Sequence, residues 1–239
     1  MLLMDQLREV SLHAKSFTWQ IVIADNASSD KTWELACILS CKFPFTIRAI
    51  RIPQKGRGRA LKIAWSNSKA RVRAYMDVDL STDIRQIPEL VGPILDGRAD
   101  VCFGSRLLPA SRVERCAKRE FISRSYNCML QSYLGVHFHD AQCGFKAISA
   151  EAADTLLPLI QDNEWFFDTE LLVLAERMGI ASCEFAVRWK EDPGTTVHIV
   201  DTVRKDLAGM KRLKTSEGQA GSSQSNAYRY PLKQAADAR

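Results

Sequence analysis

Arg73-Ala74-Tyr75-Met76-Asp77-Val78-Asp79-Leu80-Ser81-Thr82-Asp83 is an apolar run that ends abruptly in carboxylates. Side chains two apart on a strand share a face, so a strand through Asp79 aims Asp77 and Asp79 the same way and turns Val78 to the opposite layer. Two converging carboxylates at a strand end make half a site for a hard divalent cation. Mg2+ or Mn2+ takes oxygen ligands and keeps positions for water and substrate phosphates. In isolation the tripeptide reads more simply as a strand followed by an Asp-rich cap or turn, and its surroundings decide between the two.

Upstream, Trp19 to Asp25 reads as a buried strand, closed by Asn26-Ala27-Ser28-Ser29-Asp30 and a helix over Lys31 to Cys41. Phe45 to Ile52 is a second strand, and the turn Pro53-Gln54-Lys55-Gly56-Arg57-Gly58-Arg59 leads to a helix from Ala60 to Ala70. Glycines beside a helix start, with Lys55, Arg57 and Arg59, can cradle an anion or simply form a solvated basic turn. The quoted strand starts at Arg71; downstream, Ile87 to Asp96 reads as a helix and Ala99 to Ser105 as a strand. The basic segment Arg112 to Arg124 leads into a helix through Tyr126, Met129, Leu130 and Tyr133. A loop and short strand span His137 to Lys146, a helix opens in Glu164 to Leu172 and reaches Met178, and Ala181 to Trp189 is a strand. Strands alternating with helices predict an α/β fold, a mainly parallel sheet with helices on both faces. Ligands of such sheets collect outside the carboxyl ends of the strands. Asp25, the Lys55 turn, Asp77 with Asp79, and Gly104-Ser105-Arg106 all fall at such ends. His137 and His139 lack the further donors that a metal site needs.

The 239 residues, 26% of them charged, suffice for one large domain with a full core, placed at residues 1–214. Leu3, Leu7, Val10 and Ala14 predict an opening amphipathic helix over Met1 to Lys15. Val203, Leu207, Met210 and Leu213 predict a basic one over Asp201 to Lys214, suited to an anionic membrane surface or to packing on the domain. Residues 215–239, rich in Ser, Gln, Ala and Gly, read as a disordered tail. The seven cysteines have no paired CxxC spacing, which excludes a zinc ribbon and fits a reducing, cytoplasmic setting. No apolar run spans a bilayer, so membrane contact is expected to be peripheral. The basic residues are not interleaved with aromatics, which argues against nucleic acid.

The succession Ile21 to Thr32, Lys55-Gly56-Arg57-Gly58-Arg59-Ala60-Leu61, Met76 to Thr82, Gly104-Ser105-Arg106, Phe121-Ile122-Ser123-Arg124, Asp140-Ala141-Gln142-Cys143-Gly144-Phe145-Lys146 and Trp165 to Leu172 resembles family 2 glycosyltransferases. The likeness is to the branch of dolichyl-phosphate β-glucosyltransferases and polyprenyl-phosphate sugar synthases. It implies a GT-A fold and inverting transfer of a sugar, glucose, from a nucleotide diphosphate sugar such as UDP-glucose to a polyprenyl or dolichyl phosphate, on the inner face of the membrane. By motif, it implies that Asp25 holds the base, that Lys55, Gly56 and Gly58 lie near the nucleotide, and that Asp77 and Asp79 bind the donor and Mg2+ or Mn2+. Arg106 and Arg119, with Arg124, would take the acceptor phosphate, with Gln142, Asp168 and Glu170 lining the sugar and acceptor side. Asp77, Asp79, Arg106, Arg119 and Asp168 make up the implied catalytic set, with no general base assigned. Ala27 stands where the resembling proteins carry glycine. Their opening strand, ending in a Pro-x-Tyr-Asn-Glu-like segment, is missing ahead of Trp19. A soluble acceptor, or a shortened and inactive module that binds nucleotide or membrane, are the alternative readings.

Overall fold

The computed structural model describes residues 3–5, 7–8, 17–191 and 199–220. In chain order these form β1 (Ile21–Asn26), α1 (Thr32–Lys42), β2 (Ile47–Ile52), α2 (Arg57–Ser66), β3 (Val72–Met76), a 3-10 turn (Ile84–Gln86), α3 (Ile87–Leu95) and β4 (Val101–Ser105). The second half runs β5 (Arg112–Glu114), α4 (Ala117–Leu134), β6 (Phe145–Ser149), α5 (Ala150–Leu156), α6 (Phe167–Arg177), β7 (Ser182–Ala186), β8 (Arg188–Lys190) and α7 (Ile199–Ala220).

Alternation along the strands splits the core into two layers. Val101, Phe103 and Ile148 pack with Leu130, Leu156 and Leu171 of the helices on one face. Cys102, Phe145 and Ala147 pack with Ile87, Leu90 and Ile94 on the other. Helices therefore cover both faces of the sheet β3-β6-β4-β7, as a strand buried on both sides requires.

Pairing is parallel between β1 and β2, β4 and β7, and β5 and β8, but β6 runs antiparallel to both β3 and β4. That reversal departs from a wholly parallel sheet and matters for function. It puts the start of β6 beside the carboxyl end of β3, with Phe145 opposite Met76. The segment Asp140 to Gly144 thereby joins the rim on which the parallel strands end. The strand expected over Ala181 to Trp189 breaks at Val187. There the chain leaves β4 to pair with β5, the N–H of Val187 donating to Ser105 and its carbonyl accepting from Arg112.

β1–β2 and the larger sheet are not hydrogen-bonded to each other among the described residues. The facing edges of β1 and β3 line one cleft of about 2490 Å³ that opens at the rim. Residues 3–5 and 7–8 of the expected opening helix are helical, with Leu3 and Leu7 against the α3 layer and Met4 buried; the rest of it lies outside the described residues. α7 packs on the domain through Asp206, Met210 and Leu213, and leaves Val203 and Leu207 half-exposed. It continues to Ala220, into the stretch read as a tail, and 221–239 lie outside the described residues.

Candidate functional site

β3 stops at Met76, so Asp77-Val78-Asp79 is a turn and not a strand end. The N–H of Asp77 still donates to the carbonyl of Gly144 (3.1 Å), but the N–H of Leu80 then folds back to Asp77 O (3.2 Å) with Leu80 at φ 53°. Val78 is therefore 97% exposed, which corrects the expectation that it faces the opposite layer. Asp77 and Asp79 nevertheless both line the cleft and are exposed, and Asp79 Oδ1 accepts from the N–H of Ser81 (3.0 Å). Among the described residues no cluster of three His, Cys, Asp or Glu side chains forms a metal cage. Two accessible carboxylates without soft donors suit Mg2+ or Mn2+, which leave further positions to water and phosphate.

Arg57, the first residue of α2, ties this turn to the core. Its Nη2 donates to Asp77 Oδ1 (3.0 Å) and its Nη1 to Asp168 Oδ2. Its guanidinium lies over the rings of Tyr75 (5.0 Å) and Trp165 (5.2 Å). Asp168 lines the cleft but is 2% exposed, and its other oxygen receives the Tyr75 hydroxyl and the Lys146 ammonium (3.2 Å). Burial alone would raise the Asp168 pKa; Arg57 and Lys146 outweigh it and hold the carboxyl below its ordinary value. With its oxygens so engaged, Asp168 reaches the cleft through Arg57. Lys146, wholly buried, also donates to the carbonyls of Ala141 (2.9 Å) and Cys143 (2.6 Å), so one ionic chain runs from Asp77 to the Asp140–Gly144 segment.

Arg106, at the end of β4, makes a bidentate fork to Asp140, with Nε to Oδ2 at 2.7 Å and Nη2 to Oδ1 at 2.8 Å, and stacks on Trp189. Burial would raise the Asp140 pKa, but Arg106 holds it at about 2. Arg106 also lines the cleft. Arg119 lines the cleft and is ion-paired with Glu191. Arg124 does not line it: it is exposed on α4 and its Nε donates to Glu120 (2.5 Å). Glu170 is also absent from the lining, contrary to the acceptor-side expectation. It is 1% exposed, accepts the N–H groups of Gln161 and Asp162, and pairs with Arg212 of α7 at 2.7 Å. Gln142 does line the cleft, its amide donating to Asp206 (3.2 Å).

Asp25, at the end of β1, is 1% exposed; its Oδ1 accepts weakly from the Ser28 N–H (3.3 Å) and its Oδ2 has no hydrogen-bond partner, although Arg51 lies 3.6 Å away. Ala27, two residues on, adopts φ 52°, a conformation glycine enters freely and alanine at a cost of roughly 1–2 kcal/mol. Lys55 is exposed on the turn, where its carbonyl accepts from Arg59. Gly56 (φ 147°) and Gly58 hold the turn against the 163–167 segment: a Cβ would come within 2.5 Å of Asn163 O at the first and 2.6 Å of Phe167 Cβ at the second. Neither glycine, nor Lys55, lines the cleft; from this turn Arg57 does.

In the sequence Arg57 is one cation of three in a turn expected to end before a helix at Ala60; the helix in fact starts at Arg57, which singles it out. Asp206 was hidden in the basic stripe of α7, because the buried stripe is 206-210-213 and not the one that begins at Val203. Burial, with the nearby Asp162, pushes the Asp206 pKa up to about 6, against hydrogen bonds from Tyr126 and Gln142. A folded pKa above the unfolded one means that this group's contribution is fully present below about pH 4 and is lost as the pH rises through about 6. Asp206→Asn is therefore expected to be more stable relative to the wild type at pH 7.5 than at pH 4, by up to ~3 kcal/mol. Urea unfolding at the two pH values checks this, and an unchanging difference would refute it.

A family model described as glycosyl transferase family 2 matches residues 5–157. The chain is 36% identical over 192 residues to glycosyltransferase AglD of Haloferax volcanii, an alignment that covers 80% of this chain and 30% of AglD. It is 33% identical over 183 residues to a dolichyl-phosphate beta-glucosyltransferase of Trichomonas vaginalis, covering 73% of this chain and 54% of that protein. Among solved structures, glucosyl-3-phosphoglycerate synthase from Mycobacterium tuberculosis in complex with UDP matches with a TM-score of 0.65 at 19% identity, over 89% of this chain and 74% of that one. A complex of the same enzyme with Mn2+, UDP-glucose and glycerol 3-phosphate matches with a TM-score of 0.54 at 20% identity, over 92% and 76%. These likenesses identify the fold as GT-A. With the motifs gathered on one rim of that fold and the family model spanning more than half of its length, the chain belongs to glycosyl transferase family 2.

Proposed function

We propose that this chain is an inverting glycosyltransferase that moves glucose from UDP-glucose to a polyprenyl or dolichyl phosphate, with Mg2+ or Mn2+ at Asp77 and Asp79. The observation that carries the reading is the meeting in one cleft of two exposed carboxylates with Arg106 and Arg119. The carboxylates suit a cation bound to a diphosphate, and the guanidiniums suit a second phosphate.

Asp25 offers a buried oxygen that makes no hydrogen bond, only a 3.6 Å ion pair to Arg51, which fits the imide N–H of a uracil ring. Asp79 and Asp77 would hold the cation, which when bound supplies Lewis acidity to the departing diphosphate. Arg106, its fork already fixed by Asp140, is a rigid cation for the acceptor phosphate, and Arg119 a second; Gln142 lines the same cleft and is assigned to the sugar and acceptor side. A phosphate is already anionic at neutral pH, so it needs orientation and not deprotonation, and two positioned arginines supply that.

Phe121, 74% exposed on α4, and Val203 of α7 line the same cleft, with exposed Lys118, Arg124, Arg204 and Lys211 on the same two helices. Exposed apolar groups and cations on the same two helices suit an isoprenoid tail at an anionic membrane surface. Among the described residues no helix is long and apolar enough to cross a membrane.

The test is incubation with radiolabelled UDP-glucose, Mn2+ and dolichyl phosphate, followed by solvent extraction. Label in the organic phase is expected, and Arg119→Ala should raise the KM for the lipid about tenfold or more with little change in that for UDP-glucose. UDP release with the label recovered as free glucose in the aqueous phase would mean transfer to water and would overturn the lipid acceptor.

A further inference from the structure

We infer that Gly144 is a positioning residue for Asp77, an inference that rests on the reading of Asp77 as a ligand of the donor complex. Gly144 stands immediately before β6, outside the left-handed conformations that Gly56, Gly97, Gly135 and Gly179 adopt. Its backbone alone would accept any residue. What excludes a side chain is the neighbouring carboxylate.

A Cβ at Gly144 would lie 1.8 Å from Asp77 Oδ2, 2.3 Å from Cγ and 2.8 Å from Oδ1. Unbonded carbon and oxygen approach to about 3.3 Å. All three outer atoms of Asp77 conflict, so turning the carboxylate about its own axis cannot relieve the overlap. The whole group would have to move.

Gly144 also fixes Asp77 from the main chain, its carbonyl accepting the Asp77 N–H (3.1 Å), while Arg57 Nη2 holds Oδ1 from the far side (3.0 Å). The carboxylate therefore lies on the bare face of Gly144, between that residue and Arg57. Asp77 is exposed, so an added methyl is expected to swing it out toward water and off Arg57 without dismantling the core. The defect should appear in donor binding more than in folding.

The test uses the wild type, Gly144→Ala, Asp77→Ala and the double variant of the full chain. Thermal unfolding is measured without ligand, and UDP binding is measured by calorimetry with Mn2+ present. Gly144→Ala is expected to weaken UDP binding about tenfold or more and to lower Tm modestly, whereas adding it to Asp77→Ala should cause no further loss of either. A wild-type affinity in Gly144→Ala would overturn the proposal, as would a loss from Gly144→Ala that is equal with and without Asp77→Ala. If Asp77→Ala binds UDP and Mn2+ as the wild type does, the reading of Asp77 as a donor ligand fails. The unfolding cycle then decides the positioning role alone: a Tm loss seen only when the Asp77 carboxylate is present supports it, and a loss of the same size in its absence rejects it.

Discussion

Asp79→Ala is expected to lower metal-dependent UDP release by on the order of 10²–10³-fold while leaving the fold intact. Asp79 lies in an exposed turn, and its carboxylate meets the protein at the N–H of Ser81, so truncation disturbs no packing. The effect on unfolding free energy should stay within about 0.5 kcal/mol, the range of surface substitutions. Asp79→Asn separates charge from shape: it keeps an oxygen for Ser81 yet should lose nearly as much activity, because a neutral amide ligates Mn2+ poorly. Turnover against Mn2+ concentration is the measurement. Unimpaired release of UDP by Asp79→Ala would remove the basis for a cation at this turn.

Asp140→Ala should have the largest effect on stability, about 3–5 kcal/mol in urea unfolding. The Asp140 carboxylate is wholly buried and accepts four hydrogen bonds: from Nε, Nη2 and the backbone N–H of Arg106, and from the N–H of Gln142. Its removal strands a largely enclosed guanidinium, 13% exposed, and releases the segment that carries Gln142 and Gly144. Activity should fall with stability, since Arg106 loses the fork that aims it at the cleft. The sign with pH is set by the depressed pKa of about 2: the contribution is complete above pH ~4 and is lost as the pH falls toward 2. The difference between wild type and Asp140→Ala should therefore shrink in acid. A difference that stays constant down to pH 2 would mean that the pair does not carry the stability.

The alternation of strands and helices from β1 to β4 was legible because each strand is a short apolar run, wholly buried in β4 and partly so in β1 to β3, and each connection carries a strong turn signal at its end. The rim was legible for a related reason, since parallel strands leave their carboxyl ends together. Arg106, Asp77 and Asp79 follow from that topology. Lys55, Arg124 and Glu170 were misplaced relative to the cleft because a motif fixes neighbours in the chain and not the direction of a long side chain. Lys55 points to water while Arg57, two residues on, turns inward over Tyr75.

Residue order by itself determined most of the strands and helices, though not β5, α5 or the break at Val187, and the polar clusters that close the strands from β1 to β4, because burial periodicity and turn chemistry are local properties. Tertiary structure alone decided that β6 runs backward, that Asp168 is spent on Arg57 and Lys146, that Asp206 is buried, and that a glycine makes room for Asp77. Those outcomes depend on which distant groups share a small, poorly hydrated volume, where a charge must find a partner and two atoms cannot occupy one place.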